Sequence, residues 1–190
     1  MKSAKRSGVR IILLLLCWSS LAGADVRAEP PGQWEEFVSY DGRFRIVTPG
    51  PVKQKVDSID TRLGRLAYHT FFHQPEGEGQ ENVLYMVSYW DYPPGTVHSD
   101  SLELLDEFFQ ATMEAATSSV RGELLYADDI RLERYPGKVW RINYLNGKAV
   151  IRTRAYVVGA RFYTVQTIML RERSLNRASD RFLDSFRLLE

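Results

Sequence analysis

KVWRINYLNGKAVIRTRAYVV, residues 138–158, alternates apolar with polar residues on either side of Asn146-Gly147. Asn-Gly between two such runs is the strongest short-range signal for a β-hairpin, because both residues accept the positive φ that a type I′ turn demands. A two-residue turn here pairs Leu145 with Lys148, which sets Tyr144 opposite Ala149, Ile142 opposite Ile151 and Trp140 opposite Thr153 on one face. That face is predicted to be core. On the other face Arg141 falls opposite Arg152, with Arg154 two residues along, and like charges directly opposed destabilise a sheet unless something lies between them. Two occupants are open. One is a set of carboxylates from a covering helix, drawn from Glu103, Asp106, Glu107, Glu114, Asp180 and Asp184. The other is an anionic ligand, which makes Arg141, Arg152 and Arg154 candidate anion-binding residues.

Working outward, RFYTVQTIML follows the hairpin across Gly159-Ala160 as a further strand. Upstream, WEEFV and RFRIV flank SYDG as a first hairpin, and VKQKVDSID with GRLAYHTFFHQ flank TRLG as a second. NVLYMVSYW is apolar on both faces, which requires cover on both sides. In SDSLELLDEFFQATMEAAT the period changes, and Leu102, Leu105, Phe109, Met113 and Ala116 fall on one helical stripe. Asp100 and Glu103 form a plausible capping pair at its start. After ELLYADDIRL and the three strands, SLNRASDRFLDSF carries Leu175, Ala178 and Phe182 at helical spacing. Strands in antiparallel runs with few helices predict one α+β domain over residues 34–190, after a short linker at 25–33.

The order of these elements, with FRIVTPG after the first hairpin, SDSLELLDEFF opening the main helix and FLDSFRLL near the end, resembles the PsbP-like proteins. That family includes an extrinsic photosystem II subunit and many exported bacterial proteins. The resemblance implies an antiparallel sheet with helices on both faces, an α/β/α sandwich, and a non-enzymatic role in assembly or partner binding. It carries no set of functional residues onto this sequence.

The N-terminus, MKSAKRSGVR, bears four cations and no acid, and the eight-residue apolar run IILLLLCW follows. This is the charged-then-apolar pattern of a secretory signal. The run is shorter than the about 20 residues a bilayer requires, and LAGA offers cleavage after Ala24, with Ala28 as an alternative end. Cys17, the only cysteine, follows Leu16 inside the apolar run, where lipidation is not expected. The exported chain then has no thiol chemistry and no disulfide. Losing Lys2, Lys5, Arg6 and Arg10 takes the formal net charge from +1 to −3, which does not point to nucleic acid as a partner.

Catalytic signatures are missing. No G-x-S-x-G, S-x-x-K, H-E-x-x-H or phosphate-cradling glycine motif occurs, so no catalytic residue, cofactor or metal is expected. His69 and His73 are four apart, but on a strand that is about 13 Å, too far for two ligands of one ion.

YWDYPPG, residues 89–95, is the remaining concentration of recognition-type side chains. Pro93 biases Tyr92 towards extended geometry, and alternation sends Tyr89 and Trp90 to opposite faces. Packing is one reading. The other makes Trp90, Asp91 and Tyr92 a partner-binding site, since exposed Tyr and Trp are the enriched hot-spot residues. Together these features predict an exported, non-enzymatic domain that binds another protein or an envelope complex outside the cytoplasmic membrane, with a small-ligand or anion-binding domain as the alternative and an enzyme with an unrecognised site as a third reading in reserve.

Overall fold

The computed structural model describes residues 34–61, 64–77 and 79–190. The expected signal segment and linker, residues 1–33, and Arg62 and Leu63 of the second expected turn lie outside them. Among the described residues no helix is long and apolar enough to cross a membrane.

Two antiparallel sheets carry the chain. Strands β1 (Glu35–Ser39) and β2 (Phe44–Thr48) form the first hairpin. The next three strands are β3 (Lys53–Thr61), β4 (Gly64–His73) and β5 (Leu84–Asp91), followed by helix α1 (Leu102–Ser119). Then come β6 (Glu123–Leu132), β7 (Tyr135–Tyr144), β8 (Ala149–Val158), β9 (Arg161–Leu170), helix α2 (Arg177–Ser185) and β10 (Arg187–Leu188). The large sheet has the order β3-β4-β5-β9-β8-β7-β6 and the small one β1-β2-β10. The single expected sheet is thus two, because the β1–β2 hairpin pairs with no strand of the large sheet and instead takes up the final RLLE, Arg187 opposite Arg45 and Leu188 opposite Phe44.

The hairpin that opened the sequence reading holds its predicted register: Tyr144 faces Ala149, Ile142 faces Ile151 and Arg141 faces Arg152. Asn146 (φ 54°) and Gly147 (φ 78°) supply the left-handed turn, and Leu145 (φ 51°) joins them at its exposed tip. ELLYADDIRL, not assigned as a strand from sequence, is β6. Its residues are mostly exposed because it is an edge strand, and a register shift between Leu124 and Tyr126 breaks its alternation. A bulge of this kind puts one extra residue in the strand and hides the period of two that marks a strand.

Alternation along the strands splits the core into two layers, one on each face of the large sheet. Leu105, Phe109, Met113 and Ala116 of α1 pack with Trp90, Trp140, Ile142, Ile151, Val157 and Phe162. On the opposite face Phe182, Leu183 and Phe186 pack with Phe44, Ile46, Tyr85, Val87, Tyr163 and Val165. The second layer is therefore a small sheet with one nine-residue helix beside it, where the sequence reading expected helices alone. Two bonds tie that layer to β9, Tyr163 Oη donating to Gly42 O at 2.7 Å and Arg161 Nη1 to Asp41 O at 2.8 Å, and within it Val47 N donates to Ser185 Oγ at 3.0 Å, joining β2 to α2.

The helix starts differ from each other. Helix α1 has Ser101 at its N-cap, one residue after the expected Asp100, and no side-chain hydrogen bond from that cap; Asp100 lies beside His98, 3.4 Å from Nδ1. The Glu103 side chain is outside the described residues. Helix α2 is capped by Asn176, whose Oδ1 accepts from Ser179 N at 2.6 Å.

Candidate anion-binding cleft

Register partners on the α2 face of the sheet line up as a row, Tyr126, Arg141, Arg152 and Thr167, across β6, β7, β8 and β9. The start of α2 descends on this row. Between them lies an open cleft of about 300 Å³ lined by Tyr126, Arg141, Arg152, Leu175, Arg177 and Asp180, with Ser174 and Asn176 completing the wall.

Each arginine has a different fate. Arg152 Nη1 is 2.8 Å from Asp180 Oδ1 and donates to Ser179 Oγ at 3.1 Å. Ser179 is wholly buried, and its hydroxyl is 2.6 Å from Thr167 Oγ1. Arg154 turns away from the cleft: its Nη2 is 2.5 Å from Asp184 Oδ1 and its Nη1 donates to Leu183 O at 3.1 Å. Asp180 and Asp184 are four apart on a helix, a rise of about 6 Å, and Arg152 and Arg154 are two apart on a strand, a rise of about 7 Å. The two spacings match, so one helix face neutralises one strand. Helix α2 packs against β2 and β9, and its acids extend as far as β8.

Arg141, one strand further out, is left with the neutral Asn143 Oδ1 at 3.3 Å. Among the described residues no carboxylate lies within ion-pair distance of Arg141 or Arg177. The lining therefore carries three guanidiniums against the single carboxylate of Asp180. The dipole of α2, which begins at this cleft, adds positive potential there.

Of the three arginines predicted to form an anion site, the structure brings Arg141 and Arg152 together and diverts Arg154 to Asp184. Arg177 and Tyr126 were missed. Arg177 had a legible signal, since a cation at the first position of a helix sits against the unfavourable end of the helix dipole. Tyr126 had none, because the bulge conceals its strand.

The YWDYPPG connector is placed differently from the partner-binding expectation for Trp90, Asp91 and Tyr92. Trp90 is 2% exposed and Tyr92 7%. The Trp90 ring meets Phe162 at 4.8 Å and Tyr68 at 5.2 Å, and Tyr92 meets Phe108 edge-on at 5.4 Å. Burial pushes the Tyr92 phenol up to about 12. Both rings are core because they share the layer covered by α1, whose Leu105, Phe109 and Met113 pack with them, and the chain leaves the strand only beyond Tyr92, in a turn closed by Thr96 N donating to Pro93 O at 3.3 Å. Asp91 is held in a fork by Arg161, Nε to Oδ1 at 2.6 Å and Nη2 to Oδ2 at 2.8 Å, and that guanidinium lies 4.3 Å over Tyr89. The carboxylate raises the Arg161 pKa further above its ordinary value, against the lowering effect of burial.

The histidines stand apart from one another. His69 stacks on Tyr89 at 4.5 Å, His73 Nδ1 is 3.0 Å from Pro51 O, and His98 lies beside Asp100.

Among the described residues these features define an α+β domain of two antiparallel sheets and two α-helices, with a basic cleft between the large sheet and α2. The fold is PsbP-like: the chain is similar to the solution structure of cyanobacterial PsbP (CyanoP) from Synechocystis sp. PCC 6803, with a TM-score of 0.51 and 10% sequence identity, covering 87% of this chain and 98% of that one. At that identity the likeness is one of fold. No known protein-family model matches the sequence, and no curated protein matches it.

Proposed function

We propose that this chain is an exported, non-enzymatic binding domain, delivered by residues 1–24 as a cleaved signal peptide, that contacts another protein or an envelope complex outside the cytoplasmic membrane. Its anchoring point is the cleft between β6, β7, β8 and α2, which receives an anionic group of the partner. The supporting observation is the charge imbalance of that cleft: Arg141, Arg152 and Arg177 face one carboxylate, Asp180. Guanidinium is the side chain suited to planar oxyanions, because its donors form a rigid fork. An anion entering here gains two guanidiniums that no described carboxylate already satisfies.

Thermal unfolding of the exported protein with and without inorganic phosphate tests the reading. At ten times its Kd a bound anion contributes about 1.4 kcal/mol, or roughly 3–6 °C in Tm for a chain of this size. The wild-type protein should show that rise, and Arg141→Gln with Arg177→Gln should lose it. Equal shifts in both proteins, or none in either, would remove the cleft as an anion site.

A further inference from the structure

The cleft has an apolar side as well as a basic one, and we infer from it the class of anion it takes: the terminal carboxylate of another polypeptide whose last side chain is apolar, laid along the free edge of β6. This rests on the cleft being an anion site and goes on to name its ligand.

Three features converge. Arg141, Arg152 and Arg177 supply forked donors that suit a carboxylate. Two lining residues are large, apolar and open to solvent: Leu175 is 95% exposed and Tyr126 is 41% exposed. A bare inorganic anion gains nothing from such walls, whereas an aliphatic side chain attached beside the carboxylate is buried between them. Finally, Tyr126 stands on β6, the terminal strand of the seven-stranded sheet. On its outer side β6 has no neighbouring strand among the described residues, and an unpaired strand edge is a template for an extended peptide. A free small carboxylate would use the first two features. Only a chain end uses all three, with its backbone on β6 and its terminus against Arg141.

Calorimetric titration of the exported protein separates these cases with five probes: inorganic phosphate, acetate, N-acetyl-leucine, an acetylated tetrapeptide ending in leucine, and the same peptide amidated at its C-terminus. The free-carboxylate tetrapeptide is expected to bind about tenfold or more tighter than acetate or phosphate, since a buried leucine is worth at least that factor. The amidated peptide should lose this binding, and so should Arg141→Gln. Tyr126→Ser with Leu175→Ser should weaken the tetrapeptide by about tenfold. N-acetyl-leucine binding as tightly as the tetrapeptide would replace the chain end with a small organic acid and overturn the β6 part of the inference. Acetate or phosphate matching the tetrapeptide would overturn the inference as a whole while leaving the anion site standing. Binding of no probe would overturn both.

Discussion

Arg141 and Arg152 stand directly opposite each other in the β7–β8 ladder, yet only Arg152 is joined to a carboxylate, Asp180 Oδ1 at 2.8 Å. Like charges in that relation repel, and Arg141 meets the neutral Asn143 Oδ1 at 3.3 Å where Arg152 meets a carboxylate.

The two arginines should therefore differ in what they contribute to stability. Arg152→Ala removes the ion pair with the half-exposed Asp180 and one of the two hydrogen bonds of the Ser179 hydroxyl, which keeps Thr167 Oγ1, and should cost about 1 kcal/mol by urea denaturation. Arg141→Ala removes a repulsion and one long hydrogen bond, and should change stability by no more than about 0.5 kcal/mol. Equal costs would mean that Arg141 is as well neutralised as Arg152.

Asp180 competes with any incoming anion for Arg152. Asp180→Asn should tighten phosphate binding several-fold at low salt, with the gain shrinking as ionic strength rises. Unchanged affinity by calorimetry would show that Asp180 does not share the anion's site.

Trp90 is a core residue. Trp90→Ala should cost about 3–5 kcal/mol, measured as a lowered urea midpoint, because its ring packs on Phe162, Tyr68 and Tyr92. A Trp90→Ala protein of wild-type stability would contradict this burial.

Gly137 lies in β7 at a close backbone approach. A Cβ there would fall on the carbonyl oxygen of Ala155 and lie 2.5 Å from Tyr156 Cδ1. Gly137→Ala should destabilise by about 1–3 kcal/mol and speed amide exchange along β7 and β8. Unaltered exchange would show that the ladder absorbs the methyl group.

High pH should unfold the domain through its tyrosines. Burial raises the phenols of Tyr68, Tyr85, Tyr89, Tyr92, Tyr144, Tyr156 and Tyr163 above the ordinary 10.0, Tyr92 to about 12. The folded state holds these protons more tightly than the unfolded chain. The associated stability is whole below pH 10 and is lost as pH rises towards 12, about 2–3 kcal/mol for Tyr92 alone. Phenolate absorbance and loss of circular dichroism should rise together. Ionisation of the buried tyrosines in a still-folded protein would refute the coupling.

Local signals account for what could be read in advance. Asn146-Gly147 predicts the β7–β8 register, and the stripe Leu105, Phe109, Met113 and Ala116 predicts the buried face of α1. Three features were not legible. The bulge beside Tyr126 erased the alternation of β6, the return of Arg187–Leu188 to β2 is a pairing between opposite ends of the domain, and the two faces of the sheet demanded cover without saying which elements supply it. The connector shows the same limit. Its alternation separates Tyr89 from Trp90, but only the position of α1 puts Trp90 and Tyr92 in the core.

The sequence by itself determined that Arg141 faces Arg152, since a two-residue turn and a period of two leave no freedom in the count. It offered six acids as candidate partners, of which Asp180 and Asp184 take Arg152 and Arg154 while Asp106 pairs with Lys138. Which arginine receives a carboxylate was decided by tertiary structure alone. Helix α2 lies along β2 and β9, its acids reach β8 and stop there, and the position of a helix across a sheet is set by packing between residues far apart in the chain.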